Sequence, residues 1–293
     1  MNPEVIAAPA RMRERSRSAH ARGLRVGFVP TMGYLHEGHM SLVRRARSEC
    51  SFTVVSIFVN PAQFGPGEDF DRYPRDLHRD LDMLRRAEAD VVFHPEVSDL
   101  YPAGAEAHRT WVAVKGLSEA LCGAPGRRGP AHFRGVTTAV AKLLNIVEPD
   151  AAFFGQKDAQ QALIVQTMAR ELNMSARIEI CPTVREADGL AMSSRNKYLS
   201  EAERAAAPAI YRALSGAVEA AASGESSPRA LLERVRAALA GEPLFRTEYV
   251  ELVELSDLKP VQGEAIHGRA LLAVAGRLGQ TRLIDNVIVA VKD

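Results

Sequence analysis

Two histidines stand three residues apart in the stretch FVPTMGYLHEGHMSLVRRAR, residues 28–47, where His36 and His39 flank Glu37 and Gly38. An apolar run ends at Pro30, the turn-like residues Thr31, Met32 and Gly33 follow, and helical periodicity sets in near residue 38. A helix beginning there points its free N–H groups and the positive end of its dipole at whatever lies in front of it, which suits an anion. Histidines on either side of that end can donate hydrogen bonds to phosphate oxygens, and Gly38 lets a ligand approach the backbone. One histidine capping the helix while the other packs is the plain alternative, but the position after a strand and a PTMG turn favours phosphate binding. Zinc is not indicated, because HEGH lacks the i, i+4 spacing of HExxH and no third ligand is nearby.

Two further stretches carry groups of the same kind. FFGQKDAQQ, residues 153–161, brings Gly155, Gln156, Lys157 and Asp158 out of an apolar run into a helix, and a lysine so placed can neutralise charge developing on a phosphoryl group. MSSRN, residues 192–196, offers the hydroxyls of Ser193 and Ser194 and the guanidinium of Arg195 in succession, groups able to hold phosphate oxygens. Beside an HxGH element it resembles the mobile second signature of adenylate-forming nucleotidyl transferases, the relative of KMSKS.

These stretches need elements to position them. Apolar, β-branched runs at 24–29, 52–59, 89–94, 151–154 and 176–184 read as strands, and 38–49, 76–87, 135–147 and 158–172 read as helices between them. The alternation predicts an α/β parallel sheet covered on both sides, with ligands at the carboxyl ends of the strands. Three polar, Gly- or Pro-containing segments fall at those ends: PTMGYLHEGH, NPAQFG and GQKD. After about residue 184 the pattern changes to a loop over 185–200, Ala-rich helices near 201–222 and 228–240, and strands at 247–255, 269–275 and 281–291 in hairpin order. This predicts a smaller α+β domain, with the boundary placed between 1–183 and 184–293. The Arg-rich residues before 24 lack the apolar core of a signal peptide, and Glu4, Glu14 and the helix-like spacing favour a surface helix over a transit peptide.

Composition limits the partners. Of 293 residues, 46% are hydrophobic and 25% charged, and Lys+Arg 37 against Asp+Glu 36 leaves a net charge of +1. That balance argues against wholesale binding to nucleic acid or a membrane surface, which needs a basic excess. No apolar stretch approaches the roughly 18 residues of a membrane span. The three cysteines, Cys50, Cys122 and Cys181, form no CxxC pair and predict neither a disulfide framework nor a zinc knuckle, which fits a reducing cytoplasm.

HEGH at 36–39, FVNPAQFG at 58–65, HFRGVTTAVAKLLNIVEPDAAFFGQKDAQQ at 132–161 and READGLAMSSRNKYL at 185–199 together resemble the pantothenate synthetase family, the pantoate–β-alanine ligases of coenzyme A biosynthesis. The resemblance spans essentially the whole chain and is weakest before residue 24 and after 200. It implies a Rossmann-like domain that binds nucleotide and pantoate, a smaller lid domain carrying MSSRN, a cytoplasmic homodimer, ATP as substrate, Mg²⁺, and no nucleic acid or membrane partner. The reaction it implies joins pantoate to β-alanine through a pantoyl adenylate and releases pyrophosphate and AMP.

By the same resemblance His36, His39, Lys157, Ser193, Ser194 and Arg195 are the expected catalytic residues, with His39 as proton donor or charge stabiliser. ATP contacts fall on Pro30, Thr31, Met32, Gly33, His36, Gly38, His39, Gly155, Gln156, Lys157, Asp158, Val184, Met192, Ser193, Ser194 and Arg195. Gln63 and Gln161, with Asn60 and Arg134, are the expected pantoate contacts. Neutral amides suit an attacking carboxylate, whose nucleophilicity a close cation would lower. Asp80 is the expected acid near the metal, against the alternative of a solvated helix face. The pattern departs from the family in the longer loop at 123–135, where Arg127 and Arg128 have no assigned role, in Gln156 for glutamate, and in Arg79 for an acid before Asp80.

Two other functions remain at this stage. A nucleotidylyltransferase would leave AMP on a phosphorylated acceptor, and Gln63 and Gln161 suit a neutral hydroxy acid better. A nucleotide-sensing or tRNA-binding module would not need both histidines, the lysine and the serine pair, and the charge balance argues against tRNA.

Overall fold

The computed structural model describes residues 2–65 and 67–291. The chain falls into two compact units. The first comprises Met1–Ser118, Gly123–Gln156 and Gln161–Pro182, and the second Glu119–Cys122, Lys157–Gln160 and Thr183–Asp293.

The first unit runs β1 (Glu4–Ile6), α1 (Pro9–Ala21), β2 (Val26–Thr31), α2 (Glu37–Glu49), β3 (Phe52–Ile57), α3 (Leu77–Arg86), β4 (Val91–Phe93), α4 (Val97–Leu100), α5 (Pro130–Val147), β5 (Ala151–Gly155), α6 (Ala159–Glu171) and β6 (Arg177–Cys181). All its strands are parallel, in the order β1-β4-β3-β2-β5-β6. The expected parallel sheet is therefore present. Alternate residues are buried on both faces: Val29, Val55, Val92 and Phe153 join a core with Val43 and Leu84, while Phe28, Val54 and Phe93 are buried on the other side. This is why the strands read as unbroken apolar runs.

Two expectations need correcting. Residues before 24 were expected to form a helix only, yet Glu4–Ile6 add an edge strand paired with β4; three residues are too few to show a period. The first strand was expected to stop at 29, ahead of the proline, and instead continues to Thr31, with Pro30 opposite Ser56. Pairing of β2 with β5 extends only over Gly27 and Phe28, so the proline, which has no N–H to donate, lies where that ladder has already ended. The order reverses at β2, and its carboxyl end parts from β5, which is where such sheets leave a crevice.

The second unit holds α7 (Glu201–Ala206), α8 (Ala209–Ala222), α9 (Pro228–Ala240) and an antiparallel meander of β7 (Phe245–Glu254), β8 (Arg269–Leu278) and β9 (Thr281–Ala290). The single helix expected over 201–222 is broken at Pro208, which cannot donate an N–H and crowds the preceding turn. Ser200 and Glu203 form a capping box at the start of α7. One sheet face, with Val250, Leu252, Leu272, Val274, Leu283 and Val289, packs on Ile210, Leu214, Leu231 and Val235 of the helices. On the opposite face Tyr249 and Arg282 meet Cys122. No helix of the described residues is long and apolar enough to cross a membrane.

Candidate active site

The turn between β2 and α2 is held from two sides. Thr31 Oγ1 donates to the Ser56 carbonyl of β3 at 2.7 Å and accepts the Gly33 N–H at 3.1 Å. Gly33 has φ +83°, and a Cβ on it would come within 2.9 Å of Ile57 Cγ2 and 3.2 Å of Asp80 Oδ2, so the turn needs glycine. The Asp80 carboxylate of α3 accepts the Tyr34 and Leu35 N–H groups, each at 2.7 Å. Asp80 is only 1% exposed, so the solvated face considered for it is excluded. Burial pushes its carboxyl above the ordinary aspartate range, and the two N–H bonds and the neighbouring Arg79 counter this only in part.

The chain then enters α2 at His36, the residue capping the helix, with Glu37, Gly38 and His39 in its first turn. The His36 N–H donates to His39 Nδ1 at 3.3 Å, and the two rings lie 4.0 Å apart between centroids. An Nδ1 that accepts cannot carry the proton in the neutral ring, so the proton is on Nε2. The bond thus fixes His39 as an Nε2–H donor.

A second corner lies after β3. Asn60 is 2% exposed and fully engaged. Its Nδ2 donates to Gln63 Oε1 and to the Gly135 carbonyl, each at 3.1 Å. Its Oδ1 accepts the Ala62 N–H at 3.2 Å and the Tyr101 hydroxyl at 2.9 Å. Burial pushes the Tyr101 phenol up to about 12, so it remains a donor. Asn60 therefore sits beneath Gln63 and orients it, while Gln63 Nε2 reaches Met32 Sδ at 3.0 Å. Gly135 of α5 presses on the Ala62 carbonyl so closely that any Cβ would overlap it. Arg134 is exposed and stacks on Trp111 at 4.6 Å, and Gln161, on the first turn of α6, has no partner among the described residues.

The longer loop at 123–135 acquires a role that sequence could not assign. Arg128 forms a two-pronged pair with Glu68, one prong at 2.7 Å, and contacts His132 Nε2 at 3.3 Å. His132 Nδ1 in turn meets the Gln63 carbonyl at 2.6 Å. Burial pushes the Glu68 carboxyl up, but the Arg128 bonds and charge, with a bond from Gly65 N–H, outweigh it and hold the group below the usual range.

In the second unit Lys157 lies in a single 3-10 turn, Gln156–Asp158, that follows Gly155; its Nζ is 3.8 Å from Asp158. Gly155 faces open space at the position of a Cβ. The loop expected over 185–200 is more ordered than its composition suggests. Arg185 and Ala191 pair as a short antiparallel bridge, and Met192 N–H donates to the Val184 carbonyl at 3.1 Å. Ser193 Oγ accepts the Arg195 N–H at 3.3 Å and starts a 3-10 helix, Ser194–Tyr198, in which Ser194 is buried. Asn196 Nδ2 ties this turn back to Glu186 at 2.9 Å and the Ala191 carbonyl at 3.1 Å.

The expected residues thus assemble in two sets. Thr31, Met32, Gly33, His36, Gly38, His39, Asp80, Asn60 and Gln63 belong to the first unit, and Lys157, Asp158, Val184, Met192, Ser193, Ser194 and Arg195 to the second. Sequence reasoning missed Thr31 as a latch, Tyr101, Arg128 and the pair Asp285 and Asn286. Only the last left a trace, two adjacent polar residues interrupting an apolar strand in TRLIDNVIVA. Among the described residues no three His, Cys, Asp or Glu side chains cluster as a metal cage.

A family model described as pantoate-beta-alanine ligase matches residues 4–288. Pantothenate synthetase of Pelotomaculum thermopropionicum is 53% identical over 93% of the chain and 94% of that protein. That of Moorella thermoacetica is 50% identical over 99% of the chain and 100% of that protein. The crystal structure of the Thermus thermophilus pantothenate synthetase superposes with a TM-score of 0.89 at 45% identity, covering 98% of this chain and 99% of that one. A Francisella tularensis pantoate-beta-alanine ligase, complexed with β-γ ATP and β-alanine, superposes with a TM-score of 0.76 at 30% identity over 98% and 97% of the two chains. A family model over nearly the whole chain and relatives about half identical to it along almost their full length leave one conclusion: the chain belongs to the pantoate–β-alanine ligase family.

Proposed function

We propose that the protein joins pantoate to β-alanine in two steps, through a pantoyl adenylate. In the first, a pantoate carboxylate oxygen attacks the α-phosphorus of ATP, and the bond to the bridging oxygen breaks with its electrons leaving on pyrophosphate. In the second, the β-alanine amine attacks the acyl carbon of pantoyl adenylate, the bond to AMP breaks, and the amine gives up a proton. The observation that carries this reading is the His36 to His39 bond, which leaves His39 an Nε2–H donor at the start of α2. Charge grows on phosphoryl oxygens in the first step, and a preoriented N–H at a helix N-terminus stabilises it without reorganisation.

The other residues take roles matching their chemistry. Lys157, Ser193, Ser194 and Arg195 hold the phosphate oxygens and the leaving pyrophosphate, and Gly38 and Gly155 leave the backbone open to the nucleotide. Pro30, Thr31, Met32, Gly33, Gln156, Asp158, Val184 and Met192 complete the ATP contacts. Gln63 and Gln161 bind pantoate through amides that do not quench its carboxylate, with Arg134, the neighbour of Gly135, as a further contact and Asn60 orienting Gln63. Asp80 enters as the anchor of the histidine turn. In this reading the magnesium arrives on the phosphates of ATP, which is its usual mode with nucleotides. The sequence resemblance supports a homodimer, and the free, buried cysteines suit a cytoplasmic enzyme.

Pantoate-dependent exchange of labelled pyrophosphate into ATP, with Mg²⁺ and no β-alanine, tests the reading. Exchange that stops when pantoate is left out is the expected result. Exchange independent of pantoate, or an adenylylated product released intact when β-alanine is added, would overturn it.

A further inference from the structure

Lys157 is held by a strand distant in sequence. Asn286 Nδ2 of β9 donates to the Lys157 carbonyl at 3.0 Å, from a residue only 5% exposed. Both belong to the second unit. Because Lys157 sits in a single short turn, one bond to its carbonyl fixes the backbone from which its ammonium extends.

The adjacent Asp285 serves the other face of the same strand, as neighbouring residues in a strand must. Its carboxylate accepts two bonds from Arg185, at 2.6 and 3.0 Å, and the Asn286 N–H at 2.8 Å. Arg185 also donates to the Gly189 carbonyl at 3.2 Å and lies 3.7 Å over the Tyr211 ring. It opens the short hairpin whose return strand leads into Met192–Arg195. Burying an ion pair in an apolar sheet gains little net stability over apolar residues, so its presence points to position rather than to stability.

We propose that Asn286 is a positioning residue for Lys157, and that the Asp285–Arg185 pair sets the base of the serine loop from the same two residues of β9. The strand then fixes both anion-holding elements of this unit in one frame. The proposal rests on the reading that Lys157 acts in adenylate formation.

A double-mutant cycle tests it on the full-length protein. Asn286→Leu keeps the branched shape and removes the donor; Asn286→Ser, which is too short to reach the carbonyl, is the second variant should the leucine not fold. Pantoate-dependent pyrophosphate exchange is measured for each, with Lys157 intact and with Lys157→Gln. The expected result is about a tenfold fall in exchange kcat with Lys157 intact, with the KM for ATP changed less than about twofold, and little further loss in Lys157→Gln. Equal losses in the two backgrounds would mean that Asn286 acts on something else and would overturn the proposal, as would full exchange in the Asn286 variants. If Lys157→Gln alone left exchange unchanged, the role of Lys157 would fail first, and the positioning role with it.

Discussion

Asp80 Oδ1 and the Leu35 N–H are 2.7 Å apart, although 45 residues separate them, and Oδ2 takes the Tyr34 N–H at the same distance. One buried carboxylate thereby closes the turn that delivers His36 and His39. Asp80→Asn keeps the shape but turns an NH₂ toward one of the two N–H groups. It is expected to lower stability by about 1–3 kcal/mol, the cost of a buried donor left without an acceptor, and to slow adenylate formation as the turn relaxes. Denaturant unfolding and pyrophosphate exchange check this, and wild-type values in both would show that the turn holds itself.

In the proposed reaction His39→Ala and Lys157→Ala remove groups that would meet charge appearing only as the α-phosphorus is attacked. Each is expected to cost about 2.7 kcal/mol or more in adenylate formation, roughly a hundredfold, with ATP affinity nearly unchanged. Single-turnover formation of pantoyl adenylate and equilibrium ATP binding separate the two. An effect on KM alone would place these residues in ground-state binding.

Gly135→Ala tests the contact between α5 and the turn bearing Gln63. The added methyl overlaps the Ala62 carbonyl, so either the helix or the turn must shift. The expected outcome is destabilisation of about 1–3 kcal/mol and a raised KM for pantoate, with the KM for ATP little affected. Parallel rises in both constants would locate the disturbance elsewhere.

The Glu68–Arg128 pair makes a prediction about pH. Glu68 has a folded-state pKa below its unfolded value of roughly 4.3, so its contribution is present above that value and disappears as pH falls through the lower folded one. Arg128→Met is expected to lose about 1 kcal/mol relative to the parent at neutral pH, and the gap should close in acid. Unfolding measured from pH 7 down to 3 follows it; a gap that persists undiminished in acid would assign the loss to packing.

How much was legible in the sequence follows from the range of each interaction. Apolar runs such as 52–59 announced buried parallel strands, because a strand covered on both faces needs no polar alternation. The placement of HEGH and GQKD at strand ends was legible too, because local order alone puts loops there, and the expectation of phosphate chemistry rests on that placement. Periodicity found the helix 76–87 but could not tell that Asp80 is its buried tether, since a carboxylate looks the same on a wet face and beneath a turn.

What the sequence determined by itself was the alternation of the longer strands and helices and the identity of the chemical groups, which depend on neighbours a few residues away; the three-residue β1 and the break at Pro208 were not among them. Tertiary structure alone decided which partner each polar side chain holds: Asp80 the N–H of Leu35, Asn60 the carbonyl of Gly135, Arg128 the carboxylate of Glu68, and Asn286 the carbonyl of Lys157. Buried polar groups must find partners, and the partner is whichever unsatisfied N–H or C=O the packed fold brings near, a fact set by topology across as many as 129 residues rather than by local spacing.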